Sequence, residues 1–277
     1  MFNDGIVAPS EVVVSSPTLG EEKENESTRP RRPSAGPWQR TTGRQRQADR
    51  PRSSSRAAQI ICPGLQKQYG AELGAVEDAY PSTTYWQQEG GLWLLTESTI
   101  LRGLGKKATF LTFVPYDYRS PTKSWGFWTT PVYVQWIGPR HTNFPDGSIC
   151  AFEPRDQTWT VGDSIVKLLD LFTVWALRHL HLEVLGRWPG YQSVPHPYER
   201  LTELNDNEFC GCERSDKYYA DCCKQIDLER DRFADEYDFL LKFTNGGLRA
   251  PPKAISNLIR HRTEPPPIVE LLSQDSF

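Results

Sequence analysis

Three runs of aromatic and β-branched residues, separated by turn residues, constrain the fold of this chain more than any other feature. The runs are GLWLLTESTIL at 91–101, ATFLTFVPYD at 108–117 and FWTTPVYVQWIG at 127–138. Residues of these types favour strands, and the glycines and prolines between the runs are typical of turns. Successive strands joined by short connections predict an antiparallel meander sheet.

A helical pattern follows the strand runs at 164–185. Its apolar side chains recur at the spacing of one helix face, at Ile165, Leu168, Leu169, Phe172 and Trp175. Four charged residues interrupt this segment, which argues against a membrane span and predicts an amphipathic helix that is buried on one side. The predicted fold class is therefore α+β, with the antiparallel meander sheet packed on helices and with no membrane partner.

The first 57 residues differ in composition from the rest of the chain. Residues 29–56 contain nine arginines, one acidic residue and a single large apolar residue, Trp38. Such a segment cannot bury enough apolar surface to offset its ordering entropy, so 1–57 is predicted to be a disordered Arg-rich arm. Clustered arginines can attract phosphate groups, but a solvated linker is the simpler interpretation, and no nucleic-acid partner is predicted.

The chain has six cysteines, and its first residues lack the cationic and apolar segments of a secretory signal. We therefore expect a cytoplasmic, reducing location, in which cysteines serve metal binding or catalysis more often than disulfide formation. The cysteines divide into Cys62, Cys150 and a group of four. Cys62 has no neighbours that indicate chemistry and is predicted to be an ordinary buried thiol.

The stretch HTNFPDGSIC, residues 141–150, ends in a cysteine that follows a turn signature. Pro145, Asp146 and Gly147 are typical turn residues, and they bring the residues after them to the surface. An accessible thiol can react, whereas a thiol buried among apolar side chains is inert. Cys150 is therefore the candidate nucleophile of the chain.

Around this cysteine the chain resembles the active-site region of the ubiquitin-conjugating enzyme (UBC) fold. The resemblance rests on FVPYDYRSP at 113–121 and on His141, Asn143, Gly147, Ser148, Ile149, Cys150 and Trp159. Thr142 stands where the family usually has proline, the loop is shorter, and LGRWPGYQ replaces the usual segment after the long helix. These departures resemble the divergent bacterial branches of the fold. We predict a UBC-like domain over 58–200.

The resemblance implies that Cys150 forms a thioester with a ubiquitin-like protein. An adenylating activating enzyme would supply that protein, and a lysine of a protein substrate would accept it. A carrier cysteine needs exposure, and attack on its thioester builds negative charge that an amide donor such as Asn143 can stabilise. The family uses the position of His141 to hold the loop by hydrogen bonding; a role as general base is the alternative.

Four more cysteines lie close together in FCGCERSDKYYADCCKQ, residues 209–225. Two close pairs joined by a short polar loop can supply the four sulfur ligands of a tetrahedral zinc ion: Cys210, Cys212, Cys222 and Cys223. Four reduced thiols without metal are the alternative. The segment also resembles the SEC-C metal-binding motif, in which Ser215, Lys217 and Tyr219 accompany the cysteines. Asp221 is predicted to cap a helix that carries the second pair.

The zinc ion would have a structural role, because the region after the first domain has too few apolar residues for a sizeable core. We predict a SEC-C-like zinc module with a helix over 205–245, followed by a Pro-containing C-terminal tail over 246–277. The helix is indicated by the spacing of Ile226, Arg230, Phe233, Tyr237 and Leu240.

Three functions are compatible with these features. The leading hypothesis is a UBC-like transferase with an added zinc module for docking, in which ATP is used by the activating enzyme, since no phosphate-binding loop is evident here. The second hypothesis is a non-catalytic, zinc-containing adaptor with a UBC-like fold. A nucleic-acid binder that uses the arm ranks last, because the arm has few aromatic residues for base stacking.

Overall fold

The structure is a computed structural model, and it describes residues 61–98, 106–152, 157–212, 216–244 and 249–273. The predicted arm, 1–57, lies outside the described residues. In chain order the elements are α1 (Pro63–Ala79), β1 (Thr84–Gln88), β2 (Gly91–Glu97), β3 (Lys107–Pro115), β4 (Lys123–Thr129), β5 (Val134–Trp136), α2 (Ile165–Leu185), α3 (Pro197–Glu203), a 3-10 turn (Tyr219–Asp221), α4 (Lys224–Leu228), α5 (Arg232–Phe239), a π turn (Leu240–Thr244), α6 (Lys253–His261) and α7 (Ile268–Ser273). Across these ranges, no helix is both long enough and apolar enough to cross a membrane.

The five strands form one antiparallel sheet in the order β1-β2-β3-β4-β5, which confirms the predicted α+β class and the meander. The run at 127–138 is not a single strand, because a turn separates β4 from β5. In that turn the Thr130 N–H donates to the Tyr133 carbonyl at 3.0 Å. The strand β1 and the helices α1, α3, α6 and α7 are not among the elements predicted from the sequence.

One face of the sheet is covered by α1 and α2. Leu92 and Leu94 of β2 point to this side, as alternate residues of a strand must, and are completely buried there. Two polar contacts fix α2 on α1. The Glu72 carboxylate of α1 accepts the Ile165 N–H at 2.8 Å, where a helix start lacks an internal partner, and the Tyr80 hydroxyl donates to Asp170 at 2.6 Å. The position of α2 is therefore set by α1.

The other face of the sheet is covered by α6 and α7. Trp93 of β2, which alternates with the leucines on the first face, packs there with Ile255, Ile259 and Leu271. The segment 246–277, predicted as a Pro-containing tail, therefore contributes two helices to a second core. Its prolines lie just before the two helices, where they interrupt no helical hydrogen bond: Pro252 precedes α6, and its carbonyl accepts the Ile255 N–H at 3.0 Å.

The second core generates a prediction for the two C-terminal helices. Ile255 of α6 is completely buried, whereas Val269 of α7 is 72% exposed. We expect Ile255→Ala to lower the free energy of unfolding by about 2 to 5 kcal/mol, because it leaves a cavity against the sheet. The control, Val269→Ala, should change it by no more than about 0.5 kcal/mol.

Urea unfolding followed by tryptophan fluorescence measures both variants. Equal, small effects of Ile255→Ala and Val269→Ala would mean that α6 does not cover the sheet in solution.

Candidate functional site

Residues 141–150 form a small hairpin beside β4. Thr142 and Ile149 pair as an antiparallel bridge. The backbone N–H of Cys150 donates to the His141 carbonyl at 2.9 Å, and that of Asn143 donates to the Ser148 carbonyl at 2.7 Å. The hairpin therefore begins at the histidine and ends at the cysteine that the sequence singles out.

Two tryptophans hold this hairpin on the rest of the fold. The indole N–H of Trp175, in α2, donates to the His141 carbonyl at 2.9 Å, and that of Trp125, in β4, donates to the Asp146 carbonyl at 2.7 Å. Trp175 can approach because Gly126 has no side chain, and a Cβ at that position would lie 2.6 Å from the Trp175 ring. The position of the hairpin is thus set by β4 and α2.

The turn of the hairpin requires its glycine. Gly147 has a φ of +62°, which side chains rarely tolerate, and an added Cβ would lie 2.7 Å from the backbone of Ala250. Asp146 accepts the Ser148 N–H at 3.1 Å and forms an ion pair with Lys123 at 2.6 Å. These contacts give the Pro-Asp-Gly turn one shape.

Cys150 is half-buried at the end of the hairpin, directly after buried Ser148 and Ile149. Cys62, at the start of α1, is likewise half-buried, so it is not the fully buried thiol that the sequence predicts. The backbone N–H groups of four successive hairpin residues are all occupied, the acceptors being within the hairpin or in β4: Gly147, Ser148, Ile149 and Cys150. These four amides are therefore committed to the hairpin and do not serve as donors to a charge at the thiol.

Asn143 is exposed and offers a side-chain donor beside the cysteine. Its Nδ2 donates to the Ile149 carbonyl at 3.0 Å and to the Ser148 hydroxyl at 3.3 Å. The Ile149 carbonyl belongs to the peptide bond that precedes Cys150. The amide group therefore braces the hairpin and lies one peptide away from the thiol-bearing residue.

His141 is held rigidly. Its ring stacks on Trp188 with the ring centroids 3.9 Å apart, and its Nε2 contacts the side-chain Oε1 of Gln192 at 3.3 Å. Burial, and then the nearby Arg140 guanidinium, lower the pKa of His141 to about 4. A group with that pKa is neutral and a weak base near pH 7, so the geometry favours the loop-holding role over the general-base alternative.

The four clustered cysteines lie together as the sequence predicts. Their sulfur atoms all fall within 4.8 Å of one another, with 3.6 Å between Cys212 and Cys222 and 3.8 Å between Cys222 and Cys223. A tetrahedral zinc ion with Zn–S bonds of about 2.3 Å requires sulfur separations of about 3.8 Å, whereas a disulfide requires about 2 Å. The cluster could therefore hold a metal ion, and its dimensions are compatible with zinc.

The protein around the cluster shields it. Cys210 is completely buried, and burial raises the pKa of its thiol. Behind the cysteines, Arg200 of α3 forms a buried bidentate ion pair with Asp227 of α4, at 2.7 and 2.8 Å. A metal ion would have to displace protons from these thiols, so its affinity should rise with pH.

Other details of the cluster differ from the sequence predictions. Asp221 lies in the 3-10 turn, and Cys223 occupies the cap position of α4 instead. The single predicted helix is two helices, because Asp231 caps a second one by accepting the N–H groups of Phe233 and Ala234. The apolar residues that indicated the helix are largely exposed, as Phe233 at 85% shows. Ser215 lies outside the described residues.

A buried ion pair lies between the two cysteine sites and was not predicted from the sequence. Arg140 directly precedes the hairpin, and Glu208 lies two residues before Cys210. The guanidinium binds the carboxylate through two hydrogen bonds, at 2.8 and 3.0 Å. In sequence each is a lone charged residue, and neither spacing nor composition indicates that they pair.

Comparison of the chain with models of known families, with curated proteins and with solved structures gave no match.

Proposed function

We propose that this protein is a ubiquitin-conjugating-like enzyme that carries a ubiquitin-like protein as a thioester on Cys150. The observation that carries the proposal is the hairpin itself, in which a half-buried cysteine stands beside an exposed asparagine amide. The order of elements supports it, because a meander sheet, this hairpin and a long helix follow one another as in the family that the sequence resembles.

The chemistry consists of two acyl transfers. In the first, the Cys150 thiolate attacks the thioester carbonyl on an activating enzyme; a new C–S bond forms, and the activating enzyme's thiol leaves. In the second, a lysine amine of a protein substrate attacks the Cys150 thioester, forming a C–N bond and releasing the thiolate while the amine loses its proton to solvent. ATP is consumed by the activating enzyme, outside this chain.

Asn143 has the role of stabilising the oxyanion of the second transfer. The backbone amides of residues 147–150 already donate to other acceptors, so they do not supply this stabilisation. The Asn143 Nδ2 also has two acceptors, but the bond to the Ser148 hydroxyl is long at 3.3 Å, and we expect this donor to turn from that hydroxyl to the oxyanion, where a single donor can contribute substantially to the rate. His141 holds the hairpin and does not act as the base.

The cysteine cluster serves as a structural zinc site in this proposal. Its four sulfur atoms would complete a closed coordination shell, and the ion would stabilise a region in which the buried apolar cluster is small: Val194, Leu204, Cys210 and Tyr219. The match between the sulfur separations and a tetrahedral site supports zinc over unligated thiols.

A non-catalytic adaptor is the second candidate, and one observation favours it. Phe233 and Tyr237 on α5 are 85% and 66% exposed, and exposed aromatic side chains grouped on one helix are typical of a protein-binding surface. An enzyme with a docking module would have the same surface. Thioester formation separates the two candidates, because the adaptor does not form one.

The first prediction concerns the nucleophile. After incubation with ATP, an adenylating activating enzyme and its ubiquitin-like protein, we expect an adduct that thiol reductant cleaves. Cys150→Ala should abolish it and Cys150→Ser should form a reductant-resistant oxyester, since only the sulfur ester undergoes ready thiol exchange. Cys62→Ala, which removes another half-buried cysteine, is the matched control and should charge normally.

Non-reducing gel electrophoresis and intact-mass spectrometry read out this experiment. An adduct that persists in Cys150→Ala would assign the chemistry to another cysteine, and a wild-type protein that never charges would favour the adaptor.

The second prediction separates the two contributions of Asn143. If its amide stabilises the oxyanion, Asn143→Ala should charge normally but discharge to free lysine about 100-fold more slowly. Ser148→Ala, which removes only the weaker partner of that amide at 3.3 Å, should discharge at close to the wild-type rate. Single-turnover discharge assays measure both. An unchanged discharge rate in Asn143→Ala would leave the residue with a purely loop-shaping role.

The third prediction concerns the metal. Freshly purified protein should contain one zinc ion per chain, and Cys222→Ser/Cys223→Ser should lose it because two of its four ligands are gone. Cys62→Ser should retain the metal. Lowering the pH should release zinc, since protons compete for the thiols. Atomic emission measures the zinc content, and metal-free wild-type protein would remove the zinc site from the proposal.

A further inference from the structure

Gln192 connects the Cys150 hairpin with the cysteine cluster. Its side-chain oxygen, Oε1, accepts from the Arg140 guanidinium at 2.7 Å and contacts the His141 Nε2 at 3.3 Å. Its amide nitrogen donates to the Phe209 carbonyl at 3.0 Å. Phe209 directly precedes Cys210, so one side chain contacts the first residue of the hairpin and the backbone next to a cluster cysteine.

These contacts determine the state of the His141 ring. Because the Gln192 nitrogen donates to a carbonyl, its oxygen must face Arg140 and His141, and His141 must carry its proton on Nε2. The backbone carbonyl of His141 accepts the N–H of Cys150 at 2.9 Å. Gln192 is therefore connected to the backbone of the reactive cysteine by two hydrogen bonds that meet at one residue, His141.

The Arg140–Glu208 pair forms a second connection parallel to the first. Glu208 lies in the same segment as Phe209 and Cys210, and the Cys210 N–H donates to the Lys217 carbonyl at 3.1 Å beside the bridge between Phe209 and Tyr218. A change at the cluster that moves the segment 208–210 would move the Glu208 carboxylate and the Phe209 carbonyl together. Both connections to the Cys150 hairpin would then be lost.

We propose that Gln192 and the Arg140–Glu208 pair are positioning residues through which the cysteine cluster fixes the shape of the Cys150 hairpin. What the hairpin does chemically rests on the function proposed above; the coupling between the two cysteine sites does not. The zinc module is accordingly a part of the reactive site and not only a docking element. Loss of the cluster's structure should therefore change the access of reagents to the Cys150 thiol.

The experiment measures the reactivity of the Cys150 thiol and the protonation of the His141 ring, without any activating enzyme. The rate of Cys150 alkylation by iodoacetamide, followed by peptide mapping, reports access to the thiol. Nitrogen-15 NMR of the His141 ring reports which nitrogen carries the proton. The variants are Gln192→Ala, Gln192→Glu, which keeps an acceptor oxygen for His141, and Cys222→Ser/Cys223→Ser, which disrupts the cluster.

Gln88→Ala is the matched control. Gln88 also bridges two segments, donating to the Pro265 carbonyl at 2.7 Å and accepting from the Trp93 indole at 3.1 Å, but neither partner belongs to the Cys150 hairpin or to the cysteine cluster. Its loss removes the same kind of side chain without touching the Cys150 hairpin.

We expect Gln192→Ala to increase the alkylation rate of Cys150 about threefold or more and to abolish the uniform Nε2–H form of His141. Gln192→Glu should keep that form. Disrupting the cluster should produce the same two changes, and combining it with Gln192→Ala should add little. Unchanged alkylation and NMR spectra in Gln192→Ala, an equal effect of Gln88→Ala, or independent addition of the two perturbations would overturn the proposal. Because no thioester is measured, failure of the proposed function leaves this test intact.

Discussion

The buried ion pair between Arg140 and Glu208 is the interaction on which the rest of the site depends. Their side chains are 8% and 0% exposed, and charges so far from water require an opposite charge and hydrogen bonds; of the two charged groups, only the buried Arg140 Nε has no hydrogen-bond partner among the described residues. The carboxylate also accepts the backbone N–H groups of Trp188 and Asn205, so three segments of chain converge on it. The position of Arg140, and with it that of His141, therefore depends on the fold of the cysteine module.

The aromatic sheet behind the hairpin was largely predictable from the sequence, and so was the long helix, predicted at 164–185 and found at Ile165–Leu185. The strands carry apolar side chains on both faces, because helices cover both faces of the sheet and neither set of alternate side chains meets water. The second covering layer of the sheet was not predicted from the sequence. The layer, α6 and α7, could not be assigned because its segment is punctuated by prolines that a helix start tolerates as readily as a tail does.

The site was predictable only where its residues are adjacent in sequence. The hairpin around Cys150 and the four clustered cysteines are local patterns, and the structure places each of them together. Contacts between distant residues were not predictable, since Gln192 and Glu208 carry no signal of their partners. The spacing that includes Phe233 predicted a helix, and this residue does lie on α5, but its side chain is 85% exposed. Such a side chain fits a partner surface, which periodicity alone does not distinguish from a core.

The central claim is that the Cys150 hairpin and the cysteine cluster are one structural unit, and a double-mutant cycle on the ion pair tests it most directly. Native-state hydrogen exchange gives the opening free energy of the Cys150 amide in Arg140→Met, in Glu208→Gln and in the double variant. Each single change should lower that free energy, and the double variant should lower it little further, which corresponds to a coupling of about 1 to 3 kcal/mol. Independent addition of the two losses, or an amide that does not respond to Glu208→Gln, would contradict the claim.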